Sequence, residues 1–215
     1  MAERRQRILA AARAIVAKRG YEALTMRELA EASRVTVPTL YNLIGGKEAV
    51  LAAAVEEQTA RFLAAIERRG GASPAARLLA VIDACTHELL ALPAYYRTLL
   101  HLLYTAEAAG AVRASVDRAL GGELAGALEA IAEAGELAAW TEPRALLRSL
   151  RTQLGANALQ WASGGLSDAA FPYAAAYEAC LTLLGVTTGR SHDELERAAR
   201  GLQAPRAARK RRASR

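Results

Sequence analysis

Aromatic side chains are scarce in this 215-residue chain, at 5%, with only two phenylalanines and two tryptophans. Strands draw on aromatic and β-branched residues. The 52 alanines instead raise helix propensity almost everywhere, and an all-β fold is excluded. Cysteine is nearly absent too. Cys85 and Cys180 stand alone in apolar stretches, without the paired spacing of a disulfide scaffold or a zinc knuckle, so a reducing, cytoplasmic setting is expected. No run approaches the roughly 18 apolar residues that cross a bilayer, so no transmembrane helix is expected. Arg4, Arg5 and Arg7 before an apolar run at Ile8 imitate a signal peptide, but Arg13, Lys18 and Arg19 break that run, and a folded helix is the better reading. Charge is not lacking: 53% apolar and 23% charged residues describe a globular chain, not a disordered one.

The residues of catalysis are missing as well. His87, His101 and His192 have no Glu-x-x-His partner of the kind a helical di-iron site needs. His87-Glu88 runs into Leu89-Leu90-Ala91, which is not a zinc-protease pattern, and no glycine-rich phosphate loop occurs. Asp83 and His87 share a helical face but supply too few ligands for a metal. The chain reads as a non-enzyme, without cofactor or metal.

What is present is an uneven charge. The net value is +6, yet residues 1–47 carry nine Lys/Arg against four Asp/Glu, residues 48–188 ten against fifteen, and residues 189–215 nine against three. A polyanion would meet the two basic ends and not the acidic middle. Nucleic acid and an anionic membrane surface are the two candidate partners.

Periodicity divides the chain. Ile8, Leu9, Ala12, Ile15 and Val16 share one helical face, with Arg4, Arg5, Arg13 and Lys18 elsewhere, and Gly20 stops the helix. Thr25 and Glu28 form a capping box for a short second helix from Met26 to Ala32. Ser33, Arg34 and Val35 make a tight connection, and Thr36 caps a third helix with Val37 and Pro38 in its first turn. At about nine residues that helix would be roughly 13 Å long, close to the width of a DNA major groove. Longer alanine- and leucine-rich helices follow: Lys47 to Arg69, Pro74 to about Leu92, then about 94–109, 112–135, 142–163 and 168–186. Ser191 with Glu194 reads as the capping box of a short last helix to about Gly201, and Pro205 to Arg215 reads as a disordered basic tail. The expectation is an all-α protein: a three-helix helix-turn-helix head over residues 1–47, a larger helical bundle over 48–189, and a short helix with the tail over 190–215.

Two short helices across a tight turn, braced by a first helix, describe a helix-turn-helix unit. Ile8-Leu9-Ala10-Ala11-Ala12, Gly20-Tyr21, Leu24-Thr25-Met26, Leu29-Ala30, Val35, Pro38-Thr39-Leu40-Tyr41 and Lys47-Glu48 closely resemble the N-terminal signature of the TetR family of bacterial repressors. The resemblance spans roughly residues 5 to 52. It departs at Arg34, where the family usually has glycine, at Leu43 and Ile44, where histidine and phenylalanine are common, and at Gly46, where serine is commoner. In this motif the first residues of the third helix face base edges, so Val37, Pro38 and Thr39 are the specificity candidates, with Thr36 at the cap. Tyr41, Lys47, Thr25 and Arg27 are placed for phosphates, and Asn42 for either a base or a phosphate. Leu40 should point inward with Leu29 and Ile15.

The resemblance implies a cytoplasmic homodimer that binds a palindromic operator to regulate transcription, as a repressor, and is released by a small-molecule effector. It also implies that Ala145 to Ser163 and Ala169 to Leu184 pair with their symmetry mates. Leu147, Leu150, Leu154, Asn157 and Trp161 form one stripe, and Tyr173, Tyr177 and Leu184 another. Leu150, Leu154, Trp161, Tyr173, Tyr177 and Leu184 are the interface candidates, although spacing leaves partner, pocket and plain core open. Polar groups on apolar helices are pocket candidates, because burial without a partner costs about 1–3 kcal/mol: His87, His101, Tyr104, Gln153, Asn157 and Gln160. Tyr95 and Tyr96 should brace the junction after Pro93. The pocket would suit an apolar or aromatic effector. The competing reading is a basic helical membrane-surface or scaffold protein, weakened because the first helix has no Trp or Phe to insert.

Overall fold

The computed structural model describes residues 2–105 and 110–203; the basic tail predicted over 205–215 lies outside the described residues. Ten α-helices account for the described chain, with one isolated bridge pair, Leu137 and Thr187, and the all-α expectation is met. The head is α1 (Ala2–Arg19), α2 (Met26–Ser33) and α3 (Val37–Leu43). Its core is the predicted stripe: Ile8, Leu9, Ala12, Ile15 and Val16 of α1 are all buried, as are Leu29 of α2 and Leu40 of α3. Gly20, at φ +84°, ends α1 in the left-handed region that glycine tolerates.

The bundle follows as α4 (Lys47–Arg69), α5 (Pro74–Ala91), α6 (Pro93–Thr105), α7 (Gly110–Glu133), α8 (Pro143–Ala162), α9 (Phe171–Leu184) and α10 (Gly189–Gln203). Helix α1 packs on both α4 and α6, α4 on α5 and α7, and α8 on α6 and α9, so the head rests on the helices that enclose the bundle core. Proline opens α5, α6 and α8, where its missing N–H would have had no helical partner anyway.

Local chemistry corrects several expectations. Helix α3 has seven residues, about 10 Å, because Ile44 leaves helical geometry before Gly45, whose φ of +113° turns the chain into α4. Helix α7 starts at Gly110, ahead of the expected 112, and ends at Glu133. Ser191 is no cap, since α10 starts earlier at Gly189 and the Ser191 backbone N–H and hydroxyl both donate to Glu136, three residues past the end of α7. Glu194 instead accepts from Ser73 and pairs with Arg190, fastening α10 to the α4–α5 turn.

Candidate nucleic-acid interface and cavity

Capping sets the geometry of the head. The Thr25 hydroxyl accepts from the Glu28 N–H at 3.2 Å, half of the predicted box; the Glu28 carboxylate is used in an ion pair with Arg19. The end of α2 is closed by Arg34, whose φ of 53° and ψ of 51° place it in the left-handed region. Its N–H donates to the Glu31 carbonyl and that of Val35 to the Ala30 carbonyl, so the turn forms without distortion despite the missing glycine. An L-residue there stores about 1–2 kcal/mol of strain. Arg7 Nε donates to the Ser33 carbonyl at 3.0 Å, tying α1 to the same turn.

Helix α3 then presents two faces. Leu40 has no exposed surface, as expected of an anchor against Leu29 and Ile15. Pro38, Tyr41 and Asn42 are exposed, and Tyr41 at 54% is plainly not a core residue. Thr36 accepts from the Thr39 N–H, and the two threonine hydroxyls lie 2.8 Å apart at the tip, beside half-buried Val37. Thr25 and Arg27, both exposed, start α2 on the same head. Lys47 is half-buried: its ammonium sits 4.3 Å from the Tyr21 ring centroid and reaches the Glu22 carbonyl at 3.4 Å and carboxylate at 3.8 Å. Burial first, then the Glu48 and Glu22 charges, raises the Tyr21 phenol above its ordinary value, so it remains protonated. Gly46 offers α4 no side-chain cap, as its identity implied.

The sequence reading missed a cavity. Helices α4, α5, α6 and α7 line a part-open, almost wholly apolar cavity of about 90 Å³ between Val55, Phe62, Leu99, Leu103, Val116 and Leu120. Gln58, Glu88 and Tyr96 also lie along its wall. The Tyr96 hydroxyl donates to Glu88 Oε1 at 2.8 Å. With the Gln58 amide turned to satisfy both its ends, its nitrogen donates to Glu88 Oε1 at 2.9 Å, and its oxygen accepts from Arg13 Nε at 3.1 Å and Nη1 at 3.3 Å. Arg13 Nη1 also donates to Glu57 Oε2 at 2.9 Å. Arg13 was expected on the polar face of α1; it is 9% exposed and lies at the joint between head and bundle. Burial raises the Glu57 carboxyl, but its hydrogen bonds and attraction to Arg13 and Arg61 outweigh that and hold it below the ordinary carboxylate value. Burial pushes Cys85, on the cavity wall, up to about 12 and Cys180 up to about 11, so both are neutral thiols at pH 7.

None of the six polar pocket candidates lines this cavity. Gln153 exchanges hydrogen bonds with Thr182 at 2.6 and 3.0 Å, and Asn157 donates to Glu178 at 2.7 Å, so both stitch α8 to α9. His87 is exposed beside Asp83, His101 and Gln160 are exposed, and Tyr104 borders an open groove on α8. Tyr95 and Tyr96 do brace the α5–α6 junction, edge to face at 5.2 Å, but Tyr96 is also cavity wall. Of the interface candidates, Leu150, Leu154 and Trp161 are buried within the protomer, at most 6% exposed. Trp161 stacks on Phe171 at 5.2 Å and donates to Asp168, with Arg97 over its ring. Tyr173 is 37% exposed and stacks on half-buried Tyr177, and Leu184 is half-buried. Leu181, at 52% exposure, is an apolar surface residue that spacing did not single out. No group of three or more His, Cys, Asp or Glu that could hold a metal occurs among the described residues. No helix among them is long and apolar enough to cross a membrane.

Residues 8–54 match the family model described as bacterial regulatory proteins, tetR family. The HTH-type transcriptional repressor KstR of Mycobacterium tuberculosis is 42% identical over 78 residues, covering 35% of this chain and 36% of that protein. KstR of Rhodococcus jostii is 32% identical over 116 residues, 54% of each chain. The chain thus matches about a third to a half of the length of these curated relatives. A TetR transcription regulator from Haloarcula marismortui superposes with a TM-score of 0.76 over 87% of this chain and 100% of that one, at 18% identity, a likeness of fold alone.

Proposed function

We propose that this chain, whose residues 8–54 match the model of the tetR family of bacterial regulatory proteins, is a transcriptional repressor that grips a palindromic DNA operator as a dimer and is released by a small apolar ligand. The observation that carries the DNA reading is the division of α3: Leu40 is locked into the head while Pro38, Tyr41 and Asn42 stand free on the opposite side. Val37 and Pro38 suit apolar contact with thymine methyls, and the Thr39 hydroxyl, held near Thr36, can bond either base type. Tyr41, Thr25, Arg27 and Lys47 fit phosphate contacts, which set register without reading sequence. Lys47 would exchange its seat on Tyr21 and Glu22 for a phosphate.

The family's mode of dimerisation leaves Tyr173, Tyr177, Leu181 and Leu184 of α9 to meet a second copy, while Leu150, Leu154 and Trp161 support them from below. Two heads then stand one DNA turn apart, 34–36 Å. Helix α4 carries Gln58 and Phe62 into the cavity and Lys47 at its other end, so a ligand that displaces α4 also displaces the head. The cavity is smaller than the roughly 150 Å³ that accommodates benzene, so a ligand of that size would have to widen it. Taking occupancy from nearly full to nearly empty requires about 5.5 kcal/mol of preference for the released state.

Fragments of the source genome selected by the purified protein, then footprinted, test this reading. The expected result is a palindrome protected by two subunits, with tight binding abolished by the double variant T39A/Y41A. A single subunit on a site without symmetry, or unchanged affinity in the double variant, overturns it.

A further inference from the structure

Arg34 stands where glycine is usual, and it is the only non-glycine residue with positive φ among the described residues, at φ 53° and ψ 51°. Strain of this kind clusters at binding sites, where the side chain repays it. In the free chain nothing does so. Arg7 bonds the Ser33 carbonyl, Arg13 pairs with Glu57, Arg19 with Glu28 and Lys47 with Glu22. Arg34 is exposed, and its guanidinium meets no hydrogen-bond or ion-pair partner among the described residues.

Its place in the head says what could repay the strain. Arg34 closes α2 two residues before Thr36, the cap of α3, so its Cα lies within about 7 Å of the proposed reading tip. Arg27, proposed above for a phosphate, opens the same helix seven positions earlier, roughly 10 Å along the axis. When α3 enters a major groove about 12 Å wide, the helix before it crosses the backbone. The two arginines at the ends of α2 then match the two phosphate rows that border one groove. Resting on that DNA reading, we infer that Arg34 is a phosphate-binding residue, its guanidinium neutralising a backbone phosphate across the groove from the one taken by Arg27. A glycine at this position has no side chain to do so, and the contact is an addition to the usual pattern.

The test is fluorescence anisotropy between 50 and 200 mM salt, with a duplex that the protein itself selects from the source genome and single-base-pair variants of that duplex. Each phosphate contact carries about 0.9 of the slope of log affinity against log salt, so a dimer loses about 1.8 with both copies of Arg34. R34G and R34A should each show that flatter slope, shrinking the affinity lost over this fourfold rise in salt by about twelvefold, whereas R34K should keep the parent slope. The cost of each base-pair change should be the same in all four proteins, because a phosphate carries no sequence. An unchanged slope in R34G, whose glycine suits the turn better than arginine, overturns the inference and leaves the DNA reading standing. So does a slope that falls as far in R34K as in R34G, or a shifted base preference. A protein that selects no duplex at all overturns both.

Discussion

Replacing Arg13 by methionine keeps an unbranched apolar stem and removes the guanidinium, with its charge, at the joint between α1 and α4. Arg13 and Glu57 are only 10% and 15% exposed, so solvent screens their interaction weakly. Stranding one member of a buried pair costs about 3–5 kcal/mol. Here Glu57 keeps Arg61 at 2.6 Å, a partner 55% exposed, which offsets part of the loss. The Gln58 carbonyl in turn loses its donor. The net expectation is about 2–3 kcal/mol of destabilisation, or a fall of about 4–12 °C in Tm for a chain of this size. A cycle of R13M, E57Q and the double variant, followed by urea unfolding at fixed protein concentration, should give a coupling energy of about 1–3 kcal/mol. The pair also has a pH signature. The Glu57 carboxyl is held below its ordinary value in the folded chain, so its contribution is complete above the unfolded value, near 4.5, and fades as pH falls through the folded one. R13M should therefore lose less stability on acidification than the parent. A coupling energy under about 0.3 kcal/mol, the additivity of unrelated sites, would refute the claim that this pair fastens head to bundle.

Three further outcomes are expected. R34G should raise stability by about 0.5–1 kcal/mol in thermal unfolding, because relief of the left-handed strain exceeds the added chain entropy of glycine; an unchanged or lower Tm would mean that Arg34 is not strained. In a W140F background, which removes the indole that is 74% exposed, the fluorescence of buried Trp161 should titrate with Asp168. The Trp161 N–H and then Arg97 depress that carboxyl, so its midpoint should lie below the ordinary aspartate value and vanish in D168N; a midpoint at the ordinary value would contradict the contact. Deleting residues 204–215, which hold six Lys/Arg, should flatten the dependence of DNA affinity on salt without altering sequence preference, as measured by fluorescence anisotropy across a salt series; an unchanged slope would leave the tail without a role in binding.

The head was legible in the chain because its signals are local: Thr25, Thr36, Gly20 and the spacing of Ile8 to Val16 each act within a turn or two of themselves. The family resemblance supplied the roles given to Thr39 and Tyr41. The cavity was not legible, because Gln58, Glu88 and Tyr96 come from three helices and meet only through tertiary packing. Polarity on an apolar helix singled out Gln153 and Asn157 for the right physical reason, the cost of unpaired burial, but α9 satisfies both. Arg13 escaped notice because an arginine beside an apolar stripe reads as solvated, and its burial is made tolerable by Glu57, 44 positions away, and by the Gln58 amide beside it.

That remote contact has a bearing on how such a sensor could be altered. Gln58 touches Glu88, on the cavity wall, with one end of its amide and Arg13 of the head with the other. On the function proposed above, vocabulary and grammar are written with the same letter: a substitution there that teaches the protein a new ligand would also rewrite how the message is passed on. Variants selected only for capture should often prove deaf at the operator, and recovering the response should call for a second change on α1.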